Sequence, residues 1–192
     1  MKAYHVAIAG ATGAVGKEFL RLLEERNFPV ASLRLLASSR SEGQVLPFRS
    51  EAHTVERLTE QSFQGCDLAF FSAGGARSRE YAPAAVRSGT VVIDNSSAFR
   101  MDPQTPLVIP EINPDDLAEH RGIIANPNCS TIILLMAVAP LHFKWPVRRI
   151  VVSTYQAASG AGAAAMRELI TQTEQVLRGN LPEPSVFPHP IA

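Results

Sequence analysis

The chain has 192 residues, 46% hydrophobic and 19% charged, with Lys plus Arg equal to Asp plus Glu at 18 each. This length suits one domain, or one domain and part of a second, because single domains cluster at roughly 100 to 200 residues. The basic residues are scattered rather than striped, which excludes a nucleic-acid partner, and the composition is that of a globular rather than a disordered chain.

Taken in order, short apolar strands alternate with helical stretches, the pattern of a parallel sheet with helices on its faces. Residues 5–9 (HVAIA) read as the first strand and 10–16 (GATGAVG) as a turn. The helix after it carries Val15, Phe19, Leu22 and Leu23 on one face and stops at Asn27, Phe28 and Pro29. Further strands are predicted over 33–37, 68–72 and 91–94, with a helix over 77–87 between the last two; 107–109 and 123–125 are additional strand candidates. The stretch from Cys129 to Leu141 is apolar on nearly all sides, so its helix is expected to be buried. A strand over 149–155, a glycine-bearing turn and a helix over 163–177 follow; the tail holds four prolines and closes no element.

Signals for export are lacking. The start, MKAYHVAIAGATG, has no long apolar core followed by a small-residue cleavage site, and the longest apolar run, 132–141, is short of the ~20 residues a membrane helix needs. Cys66 and Cys129 have no C-x-x-C spacing, so neither a disulfide framework nor a thiolate metal site is expected. A soluble protein of the cytoplasm, with no membrane partner, is the prediction.

The GATGAVG turn follows the first strand and opens the first helix, where a dinucleotide-binding turn belongs. Gly10 suits the tight turn, Gly13 the approach of backbone N–H groups to a pyrophosphate, and Gly16 close packing of helix on strand. The spacing is GxxGxxG rather than GxGxxG. At the end of the second strand an NAD site wants a carboxylate and an NADP site a cation; Ser38, Ser39, Arg40 and Ser41 stand there, and no acid precedes Glu42. NADP is the expected cofactor. Ser72, Ala73, Gly74 and Gly75 form a second glycine turn at a strand's carboxyl end, either a ligand-binding turn or simply the entry to a helix.

Asn126, Pro127 and Asn128 are turn and cap residues, so Cys129 falls in the first turn of its helix, where the dipole and exposed N–H groups favour a thiolate. A lone cysteine beside an apolar run is otherwise commonly inert packing, the reading that Cys66 keeps. No histidine makes a convincing base: His142 lies thirteen positions on, about 20 Å along a helix rising ~1.5 Å per residue. Arg100 suits an anion clamp or an ordinary surface position, and Gln156 either orients a carbonyl or water or is structural.

GATGAVG, LASSRSEG, FFSAGG, VIDNSSAFRM, PEIN, NPNCST and YQAASGAG, in that order, closely resemble the bacterial-type aspartate-semialdehyde dehydrogenase family. N-acetyl-glutamyl-phosphate reductases differ around their cysteine, and glyceraldehyde-3-phosphate dehydrogenases carry SCTT there. The resemblance implies an α/β fold: a doubly wound, Rossmann-type parallel sheet over residues 1–128 that binds NADP, and the first part of an α+β catalytic and dimerisation domain over 129–192. Thr12, Gly13, Ala14 and Val15, with Arg40 and Ser41, would hold NADP, and Ser159 and Gly160 would close over its nicotinamide end. Cys129 would attack L-aspartyl-4-phosphate, Arg100 would bind the phosphate, Gln156 the substrate, and Asn128 would lie beside the thiol. The resemblance also implies a homodimeric full-length enzyme, with its general base beyond residue 192, so the 192 residues alone are expected to be inactive. Two rival readings fit less well: an extended short-chain reductase lacks its Tyr-x-x-x-Lys pair here, and a non-catalytic dinucleotide-binding paralogue or dimer partner sits poorly with retention of Cys129 and Gln156.

Overall fold

The computed structural model describes residues 2–192, which divide into two compact units, 2–150 and 151–192. The first is built on a seven-stranded sheet: β1 (Tyr4–Ala9), β2 (Val30–Ala37), β3 (Val45–Phe48), β4 (Glu51–Arg57), β5 (Leu68–Phe71), β6 (Val91–Asp94) and β7 (Ile123–Ala125). Their spatial order is β3-β4-β2-β1-β5-β6-β7, and all pairs are parallel except β3 with β4. The sheet is therefore mixed, with a hairpin added at one edge of the expected parallel core. Sequence pattern did not reveal this hairpin, because β4 (EAHTVER) buries only Val55 and reads as polar. Its turn, Arg49 and Ser50, adopts positive φ without the Asn or Gly that normally announces such a turn.

Helix α1 (Ala14–Glu25) covers one face of the sheet and α2 (Gly75–Arg87) the other. The strand period of two distributes β1 between them. Val6 and Ile8 pack with Leu20 and Leu23 of α1, whereas Ala7 and Ala9 join Ala82 and Ala85 of α2 together with Phe63 and Phe71. Phe63 and Phe71, both fully buried, stack at 5.4 Å between ring centroids. Cys66 is half-buried against this second cluster, and burial pushes its thiol pKa up, as befits a packing residue.

Three sequence expectations are corrected. Residues 107–109 form no strand. A single bridge joins Leu107 to Ala125, while Asn113 folds back to accept from Ile109 N at 2.8 Å and donate to Leu107 O at 3.0 Å, using groups a ladder would need. Residues 149–155 are also outside any strand; no partner strand among the described residues offers them a ladder, and 149–155 are exposed. Helix α3 (Cys129–Lys144) forms as expected, but only its Ala139 is buried, whereas Ile133 is 72% exposed. Apolar side chains are buried only where another surface meets them, and along this helix Ile132, Leu134, Leu135 and Val138 are only partly covered.

The second unit holds a short 3-10 turn, Ala158–Ala161, and α4 (Ala163–Leu177). The proline-rich tail, expected to close nothing, folds back on α4. Glu168 accepts from the backbone N–H groups of Ser185 (2.6 Å), Val186 (2.9 Å) and Phe187 (3.2 Å). Gln172, 2% exposed, donates to Glu183 O and accepts from Ile191 N at 2.8 Å. Burial raises the Glu168 pKa, but the three amide donors outweigh it and hold the carboxyl below its ordinary value. A depressed carboxyl pKa contributes stability that is present above the unfolded value and lost as pH falls through the folded one. Amide exchange at Ser185 and Val186, taken relative to its intrinsic rate, is therefore expected to stay slow at neutral pH and to accelerate as pH falls below the ordinary carboxylate range. Glu168→Gln should accelerate it already at pH 7.

Candidate active site

Parallel pairing puts five strand ends on one row. Leu36, Ala9, Phe71, Asp94 and Ala125 are in register across β2, β1, β5, β6 and β7. The loops that follow therefore leave the sheet side by side over about 19 Å, four spacings of ~4.8 Å. Ligands bind at such carboxyl edges, especially where successive connections depart to opposite sides, as they do here from β1 to β2 and from β1's other neighbour β5.

The first loop is the glycine turn. Gly10 has φ +91°, and a Cβ on it would lie 2.4 Å from the Ser72 carbonyl oxygen, so the turns after β1 and β5 touch through their backbones. A Cβ on Gly16 would lie 2.2 Å from the Gly10 oxygen, which explains the third glycine. Gly13 caps α1 with no side-chain hydrogen bond, and the first turn of α1 carries no acid. Lys17 N→Gly13 O is the first helical bond, so the N–H groups of Ala14, Val15 and Gly16 precede the helical ladder. This uncapped cradle, bare of side chains, fits a phosphate of a dinucleotide.

Beside it, Ser39–Ser41 form a 3-10 turn closed by Ser41 N→Ser38 O at 2.9 Å, and Thr12 Oγ1 donates to Ser41 Oγ at 3.3 Å. Thr12, Ser38, Arg40 and Ser41 are thereby gathered at one corner, with Arg40 exposed. On the other side, Ser72 N donates to Ala9 O at 2.8 Å, and Gly74, at φ +90°, caps α2.

Next in the row comes the loop after β6. Arg100 is half-buried; its Nε donates to Asn126 O at 2.9 Å and its Nη2 to Asn95 O at 3.0 Å. Asn126 Nδ2 donates to Asn95 Oδ1 at 2.7 Å, tying the loops after β6 and β7 together. Asn128 caps α3, its Oδ1 accepting from Ser130 N at 3.0 Å, and Cys129 is the exposed first residue of that helix. His142 is occupied at the other end of α3, where its Nδ1 accepts from Val147 N at 3.1 Å.

The first unit thus brings Gly10, Thr12, Gly13, Ala14, Val15, Gly16, Ser38, Arg40, Ser41, Ser72, Gly74, Arg100, Asn128 and Cys129 to one edge. Gln156, Ser159 and Gly160 belong to the second unit: Gln156 precedes its 3-10 turn and the other two lie within it, all three exposed. Sequence reasoning passed over Asp94, Asn95 and Asn126 as site residues. The available signal was an acid ending the otherwise apolar strand VVID.

Residues 5–120 match the family model described as the semialdehyde dehydrogenase NAD binding domain, and residues 138–192 the semialdehyde dehydrogenase dimerisation domain. The chain is 56% identical to aspartate-semialdehyde dehydrogenase of Aquifex aeolicus, over 98% of this chain and 57% of that protein. It is 51% identical to the Bacillus subtilis enzyme, over 96% of this chain and 53% of that protein. The crystal structure of aspartate semialdehyde dehydrogenase II of Vibrio cholerae, complexed with ASA, superposes with a TM-score of 0.90 at 47% identity, covering all of this chain and 58% of that one. The chain therefore spans little more than half the length of these relatives.

Proposed function

Because the chain belongs to the semialdehyde dehydrogenase family, we propose that it carries the cofactor site and the nucleophile of an aspartate-semialdehyde dehydrogenase. The reaction is the reversible, NADPH-dependent reduction of L-aspartyl-4-phosphate to L-aspartate 4-semialdehyde and phosphate, in lysine, threonine and methionine biosynthesis. One observation carries the reading: Cys129, at the capped start of α3, shares a sheet edge with the glycine turn and with Arg100.

Cys129 Sγ attacks the acyl carbon of the acyl phosphate, an S–C bond forms as the C–O bond to phosphate breaks, and Arg100 holds the departing phosphate. When bound, a nicotinamide cofactor would supply the hydride that takes the thioester to the aldehyde level. Rupture of the S–C bond then releases the semialdehyde and restores the thiol. Asn128 keeps Cys129 at the helix start, and Gln156 orients the substrate. The backbone N–H groups of Ala14 and Val15, with Gly10, Gly13 and Gly16 keeping their approach clear, hold the cofactor pyrophosphate, while Ser72 and Gly74 line its remaining course; the family resemblance gives Ser159 and Gly160 a cofactor-binding role as well. The catalytic and dimerisation part begins at Cys129, and the working enzyme is a homodimer in the cytoplasm.

NADP preference resides in Thr12, Ser38, Arg40 and Ser41, whose hydroxyls and guanidinium suit a ribose phosphate. A hydrogen bond to a charged group contributes ~1.5–3 kcal/mol, or about 10- to 100-fold in affinity. Arg40→Ala is therefore expected to raise the KM for NADP by about that factor while leaving the KM for NAD within about threefold. The assay is the increase in absorbance at the reduced-nicotinamide band with semialdehyde and phosphate, using the full-length protein. Equal effects on both cofactors would remove Arg40 from the site.

A further inference from the structure

We infer that Asp94 is a positioning residue that sets the anion-binding posture of Arg100, acting through the Asn95–Ser96 peptide; this rests on the reading of Arg100 as the phosphate-binding residue. Asp94 is wholly buried at the end of β6, yet no step of the proposed chemistry uses it. Its carboxylate is held by neutral donors: Ser78 Oγ of α2 at 2.7 Å, Ser96 Oγ at 2.7 Å and Ser96 N at 3.2 Å.

The last of these bonds carries the argument. Ser96 N–H and Asn95 C=O belong to one planar peptide unit, so holding one fixes the direction of the other. Asp94 Oδ1 takes the N–H, and the carbonyl takes Arg100 Nη2 at 3.0 Å. The second anchor of the guanidinium is Asn126 O, and Asn126 N itself donates to the Asp94 carbonyl at 2.8 Å. The Asn95 carbonyl is thus set by the Asp94 side chain, while the Asp94 backbone holds Asn126 at the sheet edge beside it. Ser96 Oγ extends the control one residue further by accepting from Ala98 N at 3.0 Å, and Ser78 ties the whole turn to the buried face of α2. The two bonds engage Nε and Nη2, so the remaining edge of the guanidinium is presented in a direction the turn dictates, as bidentate anion recognition requires.

A surface arginine needs no such apparatus. Burying a carboxylate is costly, and three neutral donors converging on it make sense where the geometry that they impose is used. A misplacement of about 1 Å in a positioning group costs on the order of 100-fold, so loosening this peptide is expected to weaken anion binding by about 10- to 100-fold.

The test titrates inorganic phosphate into the full-length protein by calorimetry, alongside a separate NADP titration. Asp94→Ala is expected to weaken phosphate binding by about tenfold or more and to leave NADP affinity within about threefold, with the KM for phosphate rising accordingly. Should Asp94→Ala fail to fold, Asp94→Val, which fills more of the buried site and likewise cannot accept from Ser96 N, decides alone. Phosphate affinity within threefold of the parent in a folded Asp94→Ala or Asp94→Val overturns the inference, as does an equal loss for phosphate and NADP, the signature of general loosening. Arg100→Leu that still binds phosphate overturns the assignment of Arg100 and the inference with it. A parent that binds phosphate through this network but shows no phosphate-dependent turnover supports the inference and refutes the proposed reaction instead.

Discussion

Cys129→Ala in the full-length protein is expected to lower kcat by at least about 10⁴-fold, because loss of a covalent nucleophile leaves only binding and electrostatic contributions to the rate. Cys129→Ser should be nearly as impaired, since a hydroxyl is barely ionised at neutral pH where a thiol is partly so. The folded state should be indifferent: Cys129 is exposed, and a surface substitution of this kind changes stability by about 0.5 kcal/mol or less. Activity and stability therefore separate at this position. Cys66→Ala supplies the contrast, because Cys66 packs against the cluster around Phe63 and Phe71 and lies away from the carboxyl edge. It is expected to keep the kcat of the parent. Phosphate-dependent NADP reduction that survives Cys129→Ala would end the thioester mechanism.

Gly10→Ala and Gly16→Ala are expected to cause the second-largest losses, here in stability and cofactor binding together. The new methyl group at 10 would meet the Ser72 carbonyl oxygen at 2.4 Å, and that at 16 the Gly10 oxygen at 2.2 Å. Both obstacles are backbone, so no side chain can rotate away. Overpacking of this kind costs about 1–3 kcal/mol and occasionally more. At Gly10 the positive φ adds about 1–2 kcal/mol, whereas at Gly16 the gain in helix propensity returns about 1 kcal/mol. Urea midpoints should fall for both, with Gly10→Ala the worse, and NADP affinity should fall with them because the cradle at Ala14 and Val15 is displaced. For stability alone Gly160→Ala is the control, since its Cβ meets nothing within 4 Å. A Gly10→Ala protein as stable as the parent would show that the two turns do not touch as described.

The glycine motif shows how far local sequence reaches. GATGAVG announced a strand-to-helix turn, and the placement of Cys129 behind Asn128 announced a helix start; both are dictated within a few residues, by conformational freedom in one case and capping in the other. The helix 163–177 was legible for the same reason. The partner that makes Gly10 indispensable is Ser72, sixty-two positions away, and no local pattern names it. Pattern also misled where burial depends on a neighbour: α3 is apolar on all sides, yet remains largely uncovered in the chain described, and residues 149–155 have β-forming side chains but no strand to pair with.

By itself, then, the sequence determined the core strands and main helices, the glycine cradle, the capped cysteine and the family likeness, because each is a matter of residue preference over short range or of residues matched in order. Only the tertiary structure decided that Leu36, Ala9, Phe71, Asp94 and Ala125 stand in one row, that the β3–β4 hairpin extends the sheet, and that Asp94 and Arg100 bond to the two ends of one peptide unit. Register, topology and buried hydrogen-bond networks are relations between distant residues, set by which pairings bury the most apolar surface and leave the fewest polar groups unsatisfied.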